Sequence, residues 1–316
     1  MRSTPLRTKG LLEAASCAVV LALGISFAQT TSTESQVVTL PVDRGPEGVA
    51  FDGVNIWIAN SVGNTVTKLR ASDEAYLGNF PVGNRPVAVA VSTSPPGSVS
   101  IWVANNRSNA LTKLRAFDGA LLGTYPVGDG PSGLVYDCVN ASIWVTNDRS
   151  NTVTRLRASD GANLGTFPVG KRPVGIAFDG TSIWVANQFS DSVTQLRALD
   201  GANLGTIPVG RKPFAVAFAG GYIWVANYVS KDVTKLLPST GALFGTYAVG
   251  YGPAGFAFDG TYIWVANNGS SNVMKLDPNT GTVLGTFSVG RGPFGVVFDG
   301  THIWVASFGS NSVSKL

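Results

Sequence analysis

Apolar residues in this chain fall in short runs, four to each stretch of about 40 residues, separated by clusters of Gly, Asp, Asn, Ser and Pro. The copy from Pro168 to Ile207 shows the unit. Val174–Phe178 alternates small with large residues and ends at an Asp179-Gly180 turn; Ile183–Ala186 is rich in the β-branched and aromatic residues that suit strands. Ser192–Arg197 follows, then an Asp200-Gly201 turn, then Asn203–Val209. No segment carries a 3.6-residue period over a useful length. Four antiparallel strands per 40-residue unit predict the blade of a β-propeller. On the second strand Trp184 and Ala186 point to one face and Ile183 and Val185 to the other. One blade's bulky face is therefore expected to meet the next blade's partly small-residue face, with a tryptophan in each seam.

The unit repeats seven times, marked by Trp57, Trp102, Trp144, Trp184, Trp224, Trp264 and Trp304. First, second and third strands each occur seven times, the last set running out at Leu316. A fourth-strand pattern nevertheless also occurs seven times, because Gln36–Val42 precedes the first full copy. The predicted fold is all-β, a seven-bladed propeller over residues 36–316, closed by the N-terminal strand completing the last blade. Residues 1–28 differ in composition: Arg2, Arg7 and Lys9 precede an apolar run from Ala14 to Phe27, and Ser26-Phe27-Ala28 offers small residues where a signal peptidase reads. They read as a signal peptide cleaved near Ala28, with 29–35 a short linker. The mature chain is then exported, periplasmic or extracellular, with no membrane span, and is expected to be a monomer.

The unit P-x-G-x-A-F-D-G-x-x-I-W-V-A-N-x-x-S-x-x-V-T-K-L…G-T-x-x-V-G resembles the YVTN-type β-propeller repeat, most closely at Trp144-Val145-Thr146-Asn147. That resemblance implies an exported or surface propeller used for binding. A looser likeness is to virginiamycin B lyase-like and NHL-type propellers, which share the length, the seven blades and a Trp-rich second strand. The lyase family implies elimination by a catalytic histidine with a magnesium ion near acidic groups. His302, the only histidine here, falls in the turn between first and second strands, on the face opposite that site.

Charge sorts by position. The links from fourth strand to next blade and from second to third strand share one face, the top. Ten of the mature chain's 20 basic residues lie in those loops: Arg44, Arg85, Arg107, Arg149, Lys171, Arg172, Arg211, Lys212, Lys231 and Arg291. Acids gather in the bottom turns, and six in the top loops leave that face about four charges positive. Phe189, Tyr228, Tyr251 and Phe308 sit among the top loop tips, and Phe214 and Phe294, just after loop prolines, are expected at the channel mouth. Two accounts fit. In one, bottom Asp residues only form turns, third-strand Lys and Arg are solvated, and top-loop Arg serves solubility. In the other, the top is an electropositive, aromatic-dotted funnel for an anionic ligand.

Other chemistry finds few residues. One histidine and one mature cysteine fall short of the usual zinc set, and the Asp-Gly turns are too far apart for a calcium loop. No metal or cofactor is expected. A net charge of +2 on the mature chain and an exported address disfavour nucleic acid. The Asn ending the second strands, as at Asn187, is expected to bond the following loop's backbone. Glu47 is the odd acid among its counterparts Val87, Ser132, Val174, Phe214, Ala254 and Phe294, and is the residue a catalytic reading would use. Binding is favoured over catalysis: a module holding a protein, glycan or small anionic ligand on its top face. The alternative is a lyase or hydrolase, virginiamycin B lyase-like or lactonase-like, with its site at the top of the central channel.

Overall fold

A computed structural model describes residues 37–94 and 97–316; the signal-peptide and linker assignments lie outside them. The described residues form 28 strands, from β1 (Val38–Pro41) to β28 (Ser312–Lys315). They make seven four-stranded antiparallel sheets. Six are sequential: β2–β5 (residues 46–81), β6–β9 (86–126), β10–β13 (131–168), β14–β17 (173–208), β18–β21 (213–248) and β22–β25 (253–288). The seventh runs β26-β27-β28-β1, with β26 at Pro293–Phe298 and β27 at Ile303–Ser307. This is the predicted closure. Val38 to Pro41 pair antiparallel with Lys315 to Ser312, and Leu40 and Val42 pack on the cluster formed by Trp304, Ala306, Ile56 and Ile58.

In blade 4 the strands fall at Pro173–Phe178, Ser182–Asn187, Ser192–Arg197 and Asn203–Pro208, close to the sequence pattern throughout. The only helical elements described are short 3-10 turns at Asn268–Ser270 and Phe308–Ser310. Innermost strands line a central channel of about 250 Å³. They crowd there: a Cβ on Gly175 would stand 2.6 Å from the Phe214 carbonyl oxygen, and one on Gly295 would stand 2.5 Å from that of Glu47. A glycine or alanine at this position in every blade lets the ring close.

Each seam is built around its tryptophan. Trp184, Ala186 and Val193 pack on Val216, Ile223, Val225 and Leu236 of the next blade, as the alternation predicted. The bottom aspartates do more than turn the chain. Asp179 Oδ1 accepts from the backbone N–H of Ser182 at 2.7 Å, and its Oδ2 accepts from the Trp184 indole at 2.7 Å. The same indole bond recurs at Asp52, Asp259 and Asp299, each at 2.7 Å.

The inner third-strand cations are not solvated, which corrects the first account of the charges. Lys68, Lys113, Lys235 and Lys315 are buried. Lys68 Nζ lies 5.0 Å from the Trp57 ring centre and donates to the Ala116 and Phe117 carbonyls of the next blade at 2.7 and 2.9 Å. Lys113 repeats this over Trp102, reaching Ala158 and Ser159 at 2.8 and 2.9 Å, and Arg155 over Trp144 reaches Leu199 at 2.6 Å. The overhanging turn displaces water, and its carbonyls replace it as partners. Burial pushes the ammonium groups of Lys68, Lys113 and Lys235 below the usual lysine range. Only the outer set is exposed, as in the Arg70–Asp73 pair at 2.9 Å, and such pairs add little stability.

Deleting residues up to Val42 is expected to cost at least about 3 kcal/mol, from the apolar surface of Leu40 and Val42 and the lost ladder. Urea unfolding checks this; an unchanged midpoint would show that the ring does not depend on β1.

Candidate functional site

The top loops are held by a repeated frame. In each link the residue two before the proline donates its backbone N–H to the serine of the neighbouring loop: Lys171 to Ser190 at 2.8 Å, Arg211 to Ser230 at 2.6 Å, Arg291 to Ser310 at 2.6 Å. Blade 1 has Gly63 at that serine position, and Asp43 takes over, accepting from the Arg44 N–H at 2.7 Å. A second bond ties blade to blade. The N–H of Arg85 donates to Asn64 Oδ1 at 2.8 Å, that of Arg172 to Asn151 at 2.8 Å, and that of Lys212 to Asp191 at 2.8 Å. The Asn ending six of the second strands mostly plays another part than expected, although Asn105 does reach the backbone carbonyl of Ala110 at 3.2 Å. Asn187 donates to Ser192 and Thr194 side chains at 3.2 and 2.9 Å rather than to loop backbone, and it is wholly buried.

Three of the predicted cations stand in a costly conformation. The residue just before the link proline is left-handed in every blade, and it is Gly45, Gly130, Gly252 and Gly292 in four of them. In the other three it is Arg85 (φ 53°), Arg172 (φ 52°) and Lys212 (φ 52°). A side chain there costs about 1–3 kcal/mol relative to a relaxed backbone, and the following proline restricts the position further. The frame over-determines these residues through the inter-blade bonds just described.

The cations then separate into groups. Arg85, Arg107, Arg149, Lys171, Arg172 and Phe189 line one groove of about 600 Å³ over blades 2 to 4. Arg149 is fixed by donating to the Asn106 carbonyl and Oδ1 at 2.9 and 3.0 Å, and buried Asn106 in turn donates to the Pro131 carbonyl at 3.1 Å. Asp148 is the only acid in the groove lining. It lies 3.6 Å from Arg149 Nε and 4.0 Å from Arg172 Nε, and its Oδ1 has no hydrogen-bond partner. Burial pushes its carboxyl above the usual range, against the pull of Arg172, Arg149 and Arg85. Arg172 and Lys212 both lie over the Phe189 ring, at 4.8 and 5.5 Å from its centre.

Aromatics gather on the other half. Phe214 lies 5.9 Å from Tyr228 and 5.8 Å from Phe294, and Phe294 is 6.3 Å from Phe308, ring centre to ring centre. Glu47, Phe214 and Phe294 line the channel mouth. Glu47 also opens on a second cleft of about 540 Å³ over blade 1, shared with Arg85, Arg107 and Phe308. Burial pushes the Glu47 carboxyl up, offset in part by Ser61 and Arg85. Arg44, Arg211, Arg291 and Tyr251 line neither the groove nor the cleft. Tyr251 instead carries Lys231 at 4.1 Å over its ring. The sequence reading missed Asn106 as the hub of the groove. It also missed the left-handed cations, which lining up the link prolines would have found, because Gly-Pro alternates there with Arg-Pro and Lys-Pro.

His302 is at the bottom, 3.7 Å from Asp299. Among the described residues no group of three His, Cys, Asp or Glu side chains comes together.

These features define a seven-bladed β-propeller with a polar, cationic loop face. No family model matches the chain, and no curated protein matches it in sequence. Solved structures do match it in shape. A streptogramin B lyase is similar with a TM-score of 0.75 at 19% identity, over 89% of this chain and 96% of that one. Virginiamycin B lyase from Staphylococcus aureus is similar with a TM-score of 0.78 at 16% identity, over 89% and 98%. The hydrazine synthase of Kuenenia stuttgartiensis is similar with a TM-score of 0.77 at 19% identity, over 92% and 99%. At such identities the likeness is one of fold.

Arg85→Gly is expected to raise stability by about 0.5–1 kcal/mol by relieving the left-handed backbone; a lower urea midpoint would mean the side chain stabilises its own loop. Glu47→Gln tests the desolvated carboxylate. A carboxyl whose folded value is raised contributes stability at low pH that is lost as pH rises through that value. The glutamine variant should therefore gain on the parent at pH 7 and lose that gain towards pH 4, as thermal melts across pH would show; a gain independent of pH would contradict it.

Proposed function

We propose that this chain is an exported, non-catalytic binding module that holds an anionic ligand on its top face, in the groove over blades 2 to 4. The observation that supports this most is the groove lining itself, in which five cations and Phe189 surround one acid. Such a concentration of one sign in a walled depression focuses the field on an incoming anion. Guanidinium groups fixed by the frame give paired donors to carboxylate, sulfate or phosphate oxygens, and Phe189 offers an apolar wall. A volume of about 600 Å³ suits a small molecule or the end of a larger glycan or protein chain.

The second reading is a lyase or hydrolase at the channel mouth. It is favoured by the lyases among the similar folds and by the desolvated carboxyl of Glu47. Of the outermost ring at that mouth, Glu47 and Ser132 are the only polar side chains, and the rest is aliphatic or phenyl. One half-buried acid and one hydroxyl on separate blades make a thin basis for acid–base chemistry. No helix among the described residues is long and apolar enough to cross a membrane. Export and a monomeric state rest on the sequence.

Citrate serves as the probe anion. The double variant Arg107→Glu with Lys171→Glu is expected to weaken its binding at least about tenfold at low salt while leaving the melting temperature in place. Arg291→Glu, on blade 7, should change it less than about twofold. Calorimetric titration decides: full affinity in the double variant, or equal loss in Arg291→Glu, would contradict a localised groove.

A further inference from the structure

The cleft over blade 1 differs from the groove beside it in kind. It shares Arg85 and Arg107 with that groove but sets an acid, Glu47, and two apolar groups, Val62 and Phe308, into the same walls. Glu47 is the one acid in its ring of seven equivalent positions. It takes no part in any ion pair among the described residues. Arg85, in the same lining, places Nη1 3.4 Å from Asn106 Oδ1 and makes no ion pair with Glu47. Charges of opposite sign thus face one cavity without closing into an ion pair, and a half-buried carboxylate only partly offset by Ser61 and Arg85 is costly unless something else completes it.

We propose that this cleft binds a zwitterionic amino acid with an apolar side chain: Arg85 and Arg107 take its carboxylate, Glu47 its ammonium, and Phe308 with Val62 its side chain. The assignment rests on the top face being an anion-binding face, and it names the ligand class of the adjoining cleft. A simple anion would bring its charge beside Glu47, and a simple cation would bring its charge beside two guanidiniums. Only a ligand carrying both satisfies both walls. Ser61, buried at the edge of the cleft, sets its hydroxyl 3.0 Å from the Gly45 carbonyl and beside the Glu47 carboxyl, where its oxygen can accept a second ammonium proton. Val62 and Phe308 are 50% and 38% exposed, so an apolar side chain laid against them removes that surface from water. The cleft, at about 540 Å³, holds such a molecule with room for bridging water.

Titration of the full chain with phenylalanine, 3-phenylpropionate and 2-phenylethylamine tests this. Phenylalanine should bind at least about tenfold more tightly than either analogue, each of which lacks one charged group that the site pairs. Glu47→Gln should erase the preference for phenylalanine over phenylpropionate while leaving citrate binding in the groove intact. Equal affinity for phenylalanine and phenylpropionate in the parent, or no phenylalanine binding while citrate still binds, would overturn the zwitterion assignment alone. Loss of every anion, citrate included, would overturn the anion-binding face with it.

Discussion

The fold depends on how each blade seam is fastened at its tryptophan. A propeller blade contacts only its two neighbours, so the ring is as strong as its weakest seam. At Trp57 an indole wholly out of water is held at its edge by Asp52 and covered on its face by Lys68. That ammonium is bonded to the next blade's bottom turn, as are the Lys113 ammonium and the Arg155 guanidinium. An indole N–H to a carboxylate is worth about 1.5–3 kcal/mol, and a desolvated cation over an aromatic face about 2 kcal/mol. Neither would hold a seam alone. Together they join apolar packing to a directional clasp, and the chain repeats that clasp with changes: Ser92 replaces the aspartate at Trp102, the Ala219 carbonyl replaces it at Trp224, and the amide of Gln195, 3.4 Å from the Pro238 carbonyl, replaces the cation at Trp184.

The clasp lies at the bottom half of each seam, and the top loops add one backbone-to-side-chain bond between neighbouring blades, as from Arg172 to Asn151. Their frame needs only the serine and asparagine bonds and the link proline, and the two central residues of each link are free to differ. The chain uses that freedom unevenly. Blades 2 to 4 carry Arg85, Arg107, Arg149, Lys171 and Arg172, while blades 5 to 7 carry Phe214, Tyr228, Phe294 and Phe308. A left-handed arginine or lysine where four blades have glycine marks positions at which side-chain chemistry outweighs backbone comfort.

Most of the architecture was legible in the sequence because it is written in two short-range signals, the alternation of apolar residues and the Gly, Asp and Pro punctuation. Strand limits, the seven-fold closure through Val38–Pro41 and the tryptophan in each seam all follow from these. The role of Lys68 does not. It alternates with Arg70 on one face of its strand, and the pattern gives both the same surroundings; the next blade's turn covers one and leaves the other in water. The candidate site was legible in part. Loop order around the ring places Arg85, Arg107, Arg149, Lys171 and Arg172 on neighbouring blades, but not the anchoring of Arg149 on Asn106. Nor does it show that Arg44, Arg211, Arg291 and Tyr251 fall outside the groove and the cleft.

The central claim is that positive potential on this propeller is focused at one place on the top face. A crystal soaked in bromide and measured at the bromine absorption edge tests it most directly, since the ion reports potential without shape preference. Anomalous peaks should concentrate over blades 2 to 4, among Arg107, Arg149, Lys171 and Arg172. Peaks spread evenly around the seven blades, or strongest on the bottom face, would contradict the account.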